Sequence, residues 1–345
     1  MEYRLALVGF GTVGQGFAEI LRDHAPRLLE QSGASFRITG VADARLGSVH
    51  DPAGFEPDAL LAAARSGDGF ANLPAADRGW DGATLAARGE ADVLVELSWT
   101  DLETGEPATS HVRAALEAGK HVVTTNKGPV ALHWAELSAL AAERGLEIGV
   151  EGTVMSGTPA VGLGLHLLRG ADVRAVRGIL NGTCNYILTR MEAGLAYADA
   201  LAEAQEKGYA EADPAGDVEG FDAAGKVVIL ANVLMGVPLR MADVDRTGIS
   251  GLSPADIEAA AGAGERWKLI GSLARTAGGV EAKVAPERVP LAHPLAGVGG
   301  AVNAVTFETG LLGDVTLVGP GAGRLETGYS VLVDLLEIHR TTSLR

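Results

Sequence analysis

The stretch Leu5-Ala-Leu-Val-Gly9-Phe10-Gly11-Thr12-Val13-Gly14 decides the fold. Four apolar residues are typical of a buried strand, and three glycines with the spacing G-x-G-x-x-G follow where a helical pattern begins. The first glycine permits a tight turn, the second lets a pyrophosphate approach the backbone, and the third lets the helix pack on the strand. The first amides of the helix, with Phe10, Thr12 and Val13 beside them, then face the phosphates. We therefore predict a dinucleotide-binding turn over Gly9–Gly14.

Short apolar runs alternate with helical patterns up to residue 150, which predicts a parallel sheet with helical crossovers. The predicted strands are Leu5–Val8, Ile38–Ala42, Val93–Leu97, His121–Thr124 and Leu146–Val150. The predicted helices are Gly14–Glu30, Pro57–Arg65, Pro107–Ala118 and Ala131–Arg144. The rest of residues 45–89 is rich in Ala, Gly, Pro and Asp, and this composition predicts long loops.

From residue 151 onward the pattern changes to helices followed by period-two strands. The predicted strands are Val173–Leu180, Trp267–Thr276, Val280–Val284, Val302–Glu308 and Val315–Val318, and the predicted helices cover about 184–191, 197–207, 218–235 and 323–338. This pattern is typical of an α+β domain with a mostly antiparallel or mixed sheet.

The expected fold class is α/β, with two domains. A Rossmann-type dinucleotide-binding domain is expected over residues 1–150, completed by a C-terminal helix at about 319–345. A substrate-binding and dimerisation domain is expected over residues 151–318. The strands of the second sheet would leave an exposed edge or face in a monomer, so we expect a homodimer.

Charge and cysteine content exclude several function classes. The formal net charge is −16, from 44 acidic and 28 basic residues, and such a field repels nucleic acid and anionic membrane surfaces. Cys184 is the only cysteine, which excludes an intrachain disulfide and fits a reducing compartment. The N terminus starts with a strand pattern rather than a signal sequence, and no apolar run reaches the roughly 18 residues of a membrane span. We expect a cytoplasmic protein with neither a nucleic-acid nor a membrane partner.

Two charged residues bear on the choice of dinucleotide. Asp43 ends the second predicted strand, where a carboxylate can bond the adenosine ribose hydroxyls and favours NAD. Arg45 could instead hold a 2′-phosphate, which favours NADP. The sequence leaves the choice between NAD and NADP open.

Five further motifs resemble those of homoserine dehydrogenases, in the family's order and spacing. They are TTNKGP at 124–129, NGTCNY at 181–186, GYAEADP at 208–214, DVEGFDAAGK at 217–226 and GPGAG at 319–323. The resemblance implies an NAD(P)-dependent oxidoreductase that interconverts L-homoserine and L-aspartate 4-semialdehyde in threonine and methionine biosynthesis. It implies the short form of the family, without the C-terminal ACT domain of longer members.

Asp222 and Lys226 stand four residues apart on a predicted helix and so share one face. Because their neighbours are apolar, we expect the pair to line a cleft rather than face bulk water. The resemblance implies that Lys226 is the acid/base on the substrate oxygen, oriented by Asp222. Reduction of an aldehyde needs a proton on oxygen as hydride reaches carbon, and a lysine can supply it. The resemblance also places Lys127 beside the nicotinamide and the substrate as a second ammonium.

The remaining substrate contacts are implied by the resemblance or left open. In the family the position of Glu211 binds the substrate ammonium, helped by the position of Tyr209. Asp217 either orients the substrate or caps the helix predicted near Val218.

Further candidate contacts, with the substrate and with the nicotinamide, lie at strand ends and in loops. Backbone amides at Gly182 and Thr183, where a strand turns into a helix, and the Thr183 hydroxyl are candidates for binding the substrate carboxylate or backbone. We expect Ser98 or Thr100, and Gly323, near the nicotinamide end of the cofactor.

The segment 151–159 resembles the monovalent-cation loop of the family. The resemblance implies a structural sodium ion held by the backbone carbonyls of Glu151, Val154, Ser156 and Thr158. Hard oxygen ligands in an irregular loop suit a hard cation.

Two other function classes stay open on the sequence alone. One is a different two-domain oxidoreductase, although Cys184 lacks the motif context of a semialdehyde-dehydrogenase nucleophile and is expected to be a packed thiol. Sugar-type dehydrogenases lack the helix with Asp222 and Lys226. The other class is a nicotinamide-binding sensor, which would need no proton donor.

Overall fold

The computed structural model of the chain describes residues 1–343. These residues form two compact units, Met1–Gly157 together with the residues from Gly323 onward, and Thr158–Ala322. Within the described range, no helix combines the length and the apolar character needed to cross a bilayer.

The first unit is built on a sheet whose central strands are parallel. In its described part the strands are β1 (Glu2–Val8), β2 (Ser35–Asp43), β3 (Gly47–Phe55), β4 (Asp77–Arg78), β5 (Val93–Glu96), β6 (His121–Thr124) and β7 (Ile148–Gly149). Their order is β4-β3-β2-β1-β5-β6-β7. Along the part of the sheet with the order β2-β1-β5-β6-β7, all neighbouring strands are parallel, as predicted. At the other edge, β3 is antiparallel to both β2 and β4.

Helices cover both faces of this sheet. They are α1 (Thr12–Ser32), α2 (Pro57–Arg65), α3 (Gly82–Arg88), α4 (Ala108–Glu117), α5 (Lys127–Leu132), α6 (Trp134–Arg144) and α13 (Arg324–Ser343). Alternate residues of β1 point to opposite faces. Leu5 and Leu7 therefore join a cluster with α1 and α13, whereas Ala6 and Val8 join a cluster with α3, α4 and α6.

Two predictions for this unit are wrong. The segment 45–89, predicted to hold only one helix, also contains β3, β4 and α3. The helix predicted over Ala131–Arg144 is two helices, α5 and α6, separated at His133.

Helices α1 and α13 cross at two glycines. A Cβ on Gly16 would lie 2.1 Å from the carbonyl oxygen of Arg324, and a Cβ on Gly328 would lie 2.7 Å from the amide nitrogen of Phe17. The Arg324 guanidinium also pairs with Glu19 at 2.8 Å across the same crossing. The two backbones therefore pack so closely that neither glycine has room for a side chain.

We expect Gly16→Ala to lower the free energy of unfolding by about 1–3 kcal/mol, because the backbone of α13 must move to admit the methyl group. At an exposed helix position the same change would raise the free energy of unfolding by about 1 kcal/mol. The sign of the change therefore shows whether the crossing is tightly packed at Gly16. Chemical denaturation measures it. The control is Gly67→Ala, because a Cβ at Gly67 meets nothing within 4 Å. Equal unfolding midpoints for the two variants would contradict the close crossing.

The second unit is built on a mostly antiparallel sheet. Its described strands are β8 (Val173–Ile179), β9 (Asp245–Arg246), β10 (Glu265–Thr276), β11 (Gly279–Pro290), β12 (Val302–Thr309) and β13 (Gly313–Pro320). Their order is β13-β12-β8-β10-β11-β9. Only the pair β9–β11 among these described strands is parallel, so the predicted mixed, mostly antiparallel sheet is confirmed.

The helices of this unit are α7 (Ala160–Gly162), α8 (Gly182–Glu192), α9 (Tyr197–Glu206), α10 (Ala215–Val218), α11 (Phe221–Leu230) and α12 (Pro254–Gly262). Both α8 and α11 pack against β10. The helix predicted over 218–235 is divided, because Gly220 at φ +80° separates α10 from α11. The residues after α11, Ala231–Met235, continue as a π-helical turn.

Candidate functional site

The glycine turn joins β1 to α1 with little space around it. Gly9 has φ +94°, a left-handed conformation that favours glycine, and a Cβ there would lie 2.6 Å from the carbonyl oxygen of Leu97. A Cβ on Gly14 would lie 2.8 Å from the carbonyl oxygen of Gly9, so helix and strand pack closely. Around Gly11, the N-cap of α1, a Cβ would meet nothing within 4 Å. The turn therefore presents an open face at the first amides of α1.

A cavity of about 1000 Å³ opens at this turn, at the carboxyl ends of β1, β2 and β5. Of the residues predicted from the sequence to contact the cofactor, those that line it are Gly9, Phe10, Gly11, Asp43, Arg45 and Ser98. Thr12, Val13 and Gly14 form the first turn of α1. Within the described chain Thr100, Lys127 and Gly323 are not among the residues that line this cavity.

The Asp43 carboxylate holds the rim of the cavity together. Its Oδ2 accepts a hydrogen bond from the amide of Phe10 at 2.8 Å, and its Oδ1 accepts from the amides of Arg45 at 2.8 Å and Leu46 at 3.0 Å. The carboxylate thus ties the hairpin between β2 and β3 to the glycine turn. Arg45 is exposed at the tip of this hairpin.

The ends of β5 and β6 are joined by Asn126. Its side chain caps α5 by accepting from the amide of Gly128 at 3.0 Å, and it donates to the carbonyl oxygens of Ser98 at 3.0 Å and Trp99 at 2.8 Å. Lys127, the first residue of α5, donates its amide to the Thr100 hydroxyl at 3.4 Å. The predicted cofactor residues of these two loops are therefore linked.

In the second unit Lys226 is buried, with 7 % of its surface exposed. Its Nζ donates to the carbonyl oxygen of Leu180 at 2.6 Å and to Oδ2 of Asp222 at 2.7 Å. An ammonium has three donors, so these two contacts leave one N–H for another acceptor. The predicted pairing of Asp222 with Lys226 across one helical turn is present.

Asn181 links the acidic residues of this cluster. Its Nδ2 donates to Oδ1 of Asp217 at 2.7 Å and to Oδ2 of Asp222 at 2.9 Å, and its Oδ1 caps α8 by accepting from the amide of Cys184 at 2.8 Å. The sequence patterns predict no role for this side chain in the site. An asparagine between a strand and a helix signals the cap, but nothing local signals the two bonds to distant carboxylates.

The Asp217 side chain bonds Asn181, and it is Asp213, not Asp217, that accepts from the amide of Ala215 at the start of α10 at 3.1 Å. Of the two interpretations of Asp217, helix capping is therefore wrong. Burial raises the pKa of Asp217, the hydrogen bond from Asn181 opposes this rise, and the nearby Asp222 carboxylate adds to it.

The raised pKa of Asp217 predicts a pH-dependent stability. A carboxyl with a higher pKa in the folded state stabilises most while protonated, and that contribution is lost as the pH rises through the folded-state pKa. Asn keeps the size and the acceptor oxygen of the protonated form. We therefore expect the melting temperature of Asp217→Asn, minus that of the unmodified protein, to increase as the pH is raised from about 4 to 7. Asp245→Asn, at an exposed carboxyl on β9, is the control, and parallel curves for both variants would contradict the prediction.

The other predicted substrate residues lie at the start of α8 and on the loop before α10. Gly182 and Thr183 begin α8, and the Thr183 hydroxyl donates to the carbonyl oxygen of Tyr209 at 2.7 Å. Glu211 is exposed, and Gln205 donates to its backbone oxygen at 3.0 Å. The described structure therefore joins Thr183 to Tyr209 but does not bring the Glu211 carboxylate into the Lys226 cluster.

Cys184 is a packed thiol, as predicted. It is fully buried, and its Sγ donates to the carbonyl oxygen of Asp217 at 3.2 Å. Burial, with a smaller contribution from the Asp217 carboxylate, raises the pKa of the thiol well above its ordinary value, so the nucleophilic thiolate is disfavoured.

The predicted cation loop has an unusual backbone. Met155 and Ser156 have φ values of 59° and 55°, in the left-handed region. The Glu151 amide donates to Asp334 at 3.0 Å, and the hydroxyls of Ser156 and Thr327 lie 2.6 Å apart, so α13 holds the loop. Val154 is buried in this loop, and Thr158 is the first residue of the second unit.

Comparisons with known proteins agree along the whole chain. Residues 9–151 match the family described as homoserine dehydrogenase, NAD binding domain, and residues 159–336 match the family described as homoserine dehydrogenase. The NAD(+)-dependent homoserine dehydrogenase of Pseudomonas canavaninivorans is 46 % identical over 99 % of this chain and 97 % of that protein. The homoserine dehydrogenase of Methanocaldococcus jannaschii is 38 % identical over 98 % of this chain and 99 % of its own length.

Solved structures show the same likeness. A homoserine dehydrogenase from Thiobacillus denitrificans has a TM-score of 0.86 and 34 % identity, covering 100 % of this chain and 74 % of that one. A hyperthermophilic archaeal homoserine dehydrogenase in complex with NADPH has a TM-score of 0.83 and 29 % identity, covering 99 % and 98 % of the two chains. The glycine turn with its cavity, the buried Lys226 and these relatives together show that the chain belongs to the homoserine dehydrogenase family of NAD(P)-dependent oxidoreductases.

Proposed function

We propose that Lys226 exchanges the proton of the substrate oxygen when L-homoserine and L-aspartate 4-semialdehyde are interconverted. The observation that supports this role is the remaining N–H of an ammonium that is buried and fixed by Leu180 and Asp222. The nicotinamide, when bound, takes up or supplies the hydride at the substrate carbon. Asp222 accepts a hydrogen bond from the amine and so orients it.

We propose that the substrate ends are held by separate groups of residues. The first amides of α8, at Gly182 and Thr183, have no acceptor within the helix and suit the substrate carboxylate. Glu211, with Tyr209 beside it, suits the ammonium, because its exposed carboxylate is available to a cationic ligand. We assign Asp217 to orientation of the substrate, and Lys127 to a second ammonium near the nicotinamide.

We propose that Gly9–Gly14, Asp43 and Ser98 hold the cofactor in the first unit, with Thr100 and Gly323 toward its nicotinamide end. We further propose that NAD is preferred to NADP. A carboxylate has about four acceptor positions, and backbone amides occupy three of those on Asp43. This leaves one for a ribose hydroxyl, whereas a 2′-phosphate at the same place would meet a fixed negative charge.

We expect kcat/KM with NAD to exceed that with NADP by roughly 10- to 100-fold, because contact between like charges costs on the order of 1–4 kcal/mol. Steady-state homoserine oxidation, followed by nicotinamide absorbance, tests both the activity and the preference. Asp43→Asn is expected to reduce the ratio of kcat/KM with NAD to kcat/KM with NADP. Arg45→Ala, the matched change at the hairpin tip, is expected to lower only the rate with NADP. A preference of the unmodified enzyme for NADP would overturn this assignment.

We propose a structural sodium ion in the loop that contains Glu151, Val154 and Ser156. The consecutive left-handed residues Met155 and Ser156 give this loop an irregular backbone, which supports a hard-cation site. Calorimetric titration of sodium into sodium-free protein, with no heat of binding, would speak against it.

We also propose a homodimer formed through the second unit. Its edge hairpin exposes Leu311 by 75 % and Leu312 by 64 %, and Val318 on β13 by 51 %, and such apolar surface favours a partner. Sedimentation of a monomer at micromolar concentration would contradict the dimer.

For the cellular role we propose threonine and methionine biosynthesis in the cytoplasm, where the reduced thiol of Cys184 is stable. Growth of a homoserine auxotroph carrying this gene without homoserine tests the pathway, and cell fractionation tests the compartment.

A further inference from the structure

Glu96, at the end of β5, is a carboxylate with 0 % exposed surface. Its Oε1 accepts from the amide of Ser98 at 2.8 Å and also from the Ser98 hydroxyl, and its Oε2 lies 2.7 Å from Nδ1 of His111. A carboxylate can only accept, so the ring donates through Nδ1. These bonds satisfy a buried charge that would otherwise be costly.

The bond to Glu96 decides what the Ser98 hydroxyl can do. Its single hydrogen is committed to the carboxylate, so the oxygen can only accept from any other group. Asn126 donates mainly to the carbonyl oxygens of Ser98 and Trp99 and lies 3.5 Å from the Ser98 hydroxyl. Ser98 lines the cavity at the glycine turn, and this oxygen therefore offers a lone pair to a donor on a ligand there.

The ring of His111 is itself held by its surroundings. It lies on α4 and lines the same cavity. A Cβ on Gly82 would lie 2.5 Å from Nε2 of the ring, so the backbone of α3 packs directly against it. His111 therefore has little freedom to turn away from Glu96.

The order of strands shows which part of a dinucleotide Ser98 meets. Strands β2 and β5 lie on opposite sides of β1, which carries the glycine turn for the pyrophosphate. Asp43, at the end of β2, is on the adenosine side. Ser98, after β5, is therefore on the side of the nicotinamide and its ribose.

We infer that Glu96 and His111 are positioning residues for the cofactor. They fix the Ser98 hydroxyl as an acceptor for a donor on the nicotinamide half, either a ribose hydroxyl or the carboxamide NH2. The inference rests on the proposed placement of the cofactor in this cavity.

The test compares the dissociation constants of NADH and ADP, since ADP lacks the nicotinamide half. We expect Ser98→Ala and Glu96→Gln each to weaken NADH binding by roughly three- to tenfold, the range of one hydrogen bond, and to change ADP binding less than twofold. In the double variant the two losses should not multiply, because Glu96 acts through Ser98. Ser138→Ala, a serine on α6 that is not among the residues lining the cavity, is the matched control and should bind both ligands normally.

Three results would overturn the inference: normal NADH binding by Ser98→Ala, equal weakening of NADH and ADP by Glu96→Gln, or losses that multiply. His111→Phe, which removes the donor to Glu96, gives a second variant should Glu96→Gln not fold, and it should show the same NADH-specific loss. The measurements contain no homoserine, so an error in the role of Lys226 leaves them unaffected. If ADP does not bind the unmodified protein, the proposed cofactor placement itself fails.

Discussion

Replacement of Lys226 by alanine is expected to lower kcat by roughly 10²–10⁴-fold and to leave the dissociation constant of the cofactor nearly unchanged. Lys226 is the proposed proton acceptor in homoserine oxidation and the proton donor in the reverse reaction, and its amine is held in place by bonds to Leu180 and Asp222. Steady-state turnover with homoserine, together with NADH titration, measures both quantities.

Two further variants separate chemistry from packing. Lys226→Met keeps the aliphatic stem, so it should lose as much turnover as Lys226→Ala while unfolding at a higher temperature. Lys207→Ala removes a lysine whose side chain is 49 % exposed and should keep normal turnover. Near-normal kcat in either Lys226 variant would exclude this residue as the group that exchanges the substrate proton.

Replacement of Asn181 by serine is expected to lower kcat/KM by roughly 10- to 100-fold. Each hydrogen bond to a charged group contributes about 1.5–3 kcal/mol, and the variant loses the two that join Asp217 to Asp222. Without this link the Asp222 carboxylate is less firmly fixed, and so is the Lys226 ammonium that bonds to it.

Serine is chosen because its hydroxyl can still cap α8. Asn181→Ala removes the cap as well, so it should unfold at a lower temperature than Asn181→Ser while losing a similar share of activity. If Asn181→Ser keeps full activity and only Asn181→Ala is impaired, then Asn181 acts by capping α8 and not by orienting Asp217 and Asp222. Thermal unfolding beside kinetics distinguishes these results.

The parts of the fold that the sequence predicts correctly have strong local patterns. The strand before Gly9 is continuously apolar, and part of β12, Val305–Glu308, alternates between apolar and polar residues. Strand β3 was missed because Gly47–Phe55 contains glycine, proline and aspartate, residues that are rare in strands. It forms because the Asp43 side chain closes the hairpin, and such a contact is hard to foresee from composition.

The site was predictable to the extent that its residues are neighbours in sequence. Asp222 and Lys226 stand one helical turn apart, and their pairing follows from that spacing. Asn181 reaches Asp222 only through the packing of α8 and α11 against the sheet, and Glu96 reaches His111 only through the packing of α4 on β5. Long-range contacts of this kind depend on the folded core, and no local pattern in the sequence indicates them.

The C-terminal helix imposes an order on biosynthesis. Val331, Leu335 and Ile338 of α13 belong to the same apolar cluster as Leu5 and Phe17. A ribosome adds about 5–20 residues per second, so the nascent N-terminal half waits on the order of tens of seconds for its last layer. The second unit can therefore fold before the first is complete. A product truncated before α13 keeps its glycine turn but exposes an apolar surface to chaperones and proteases.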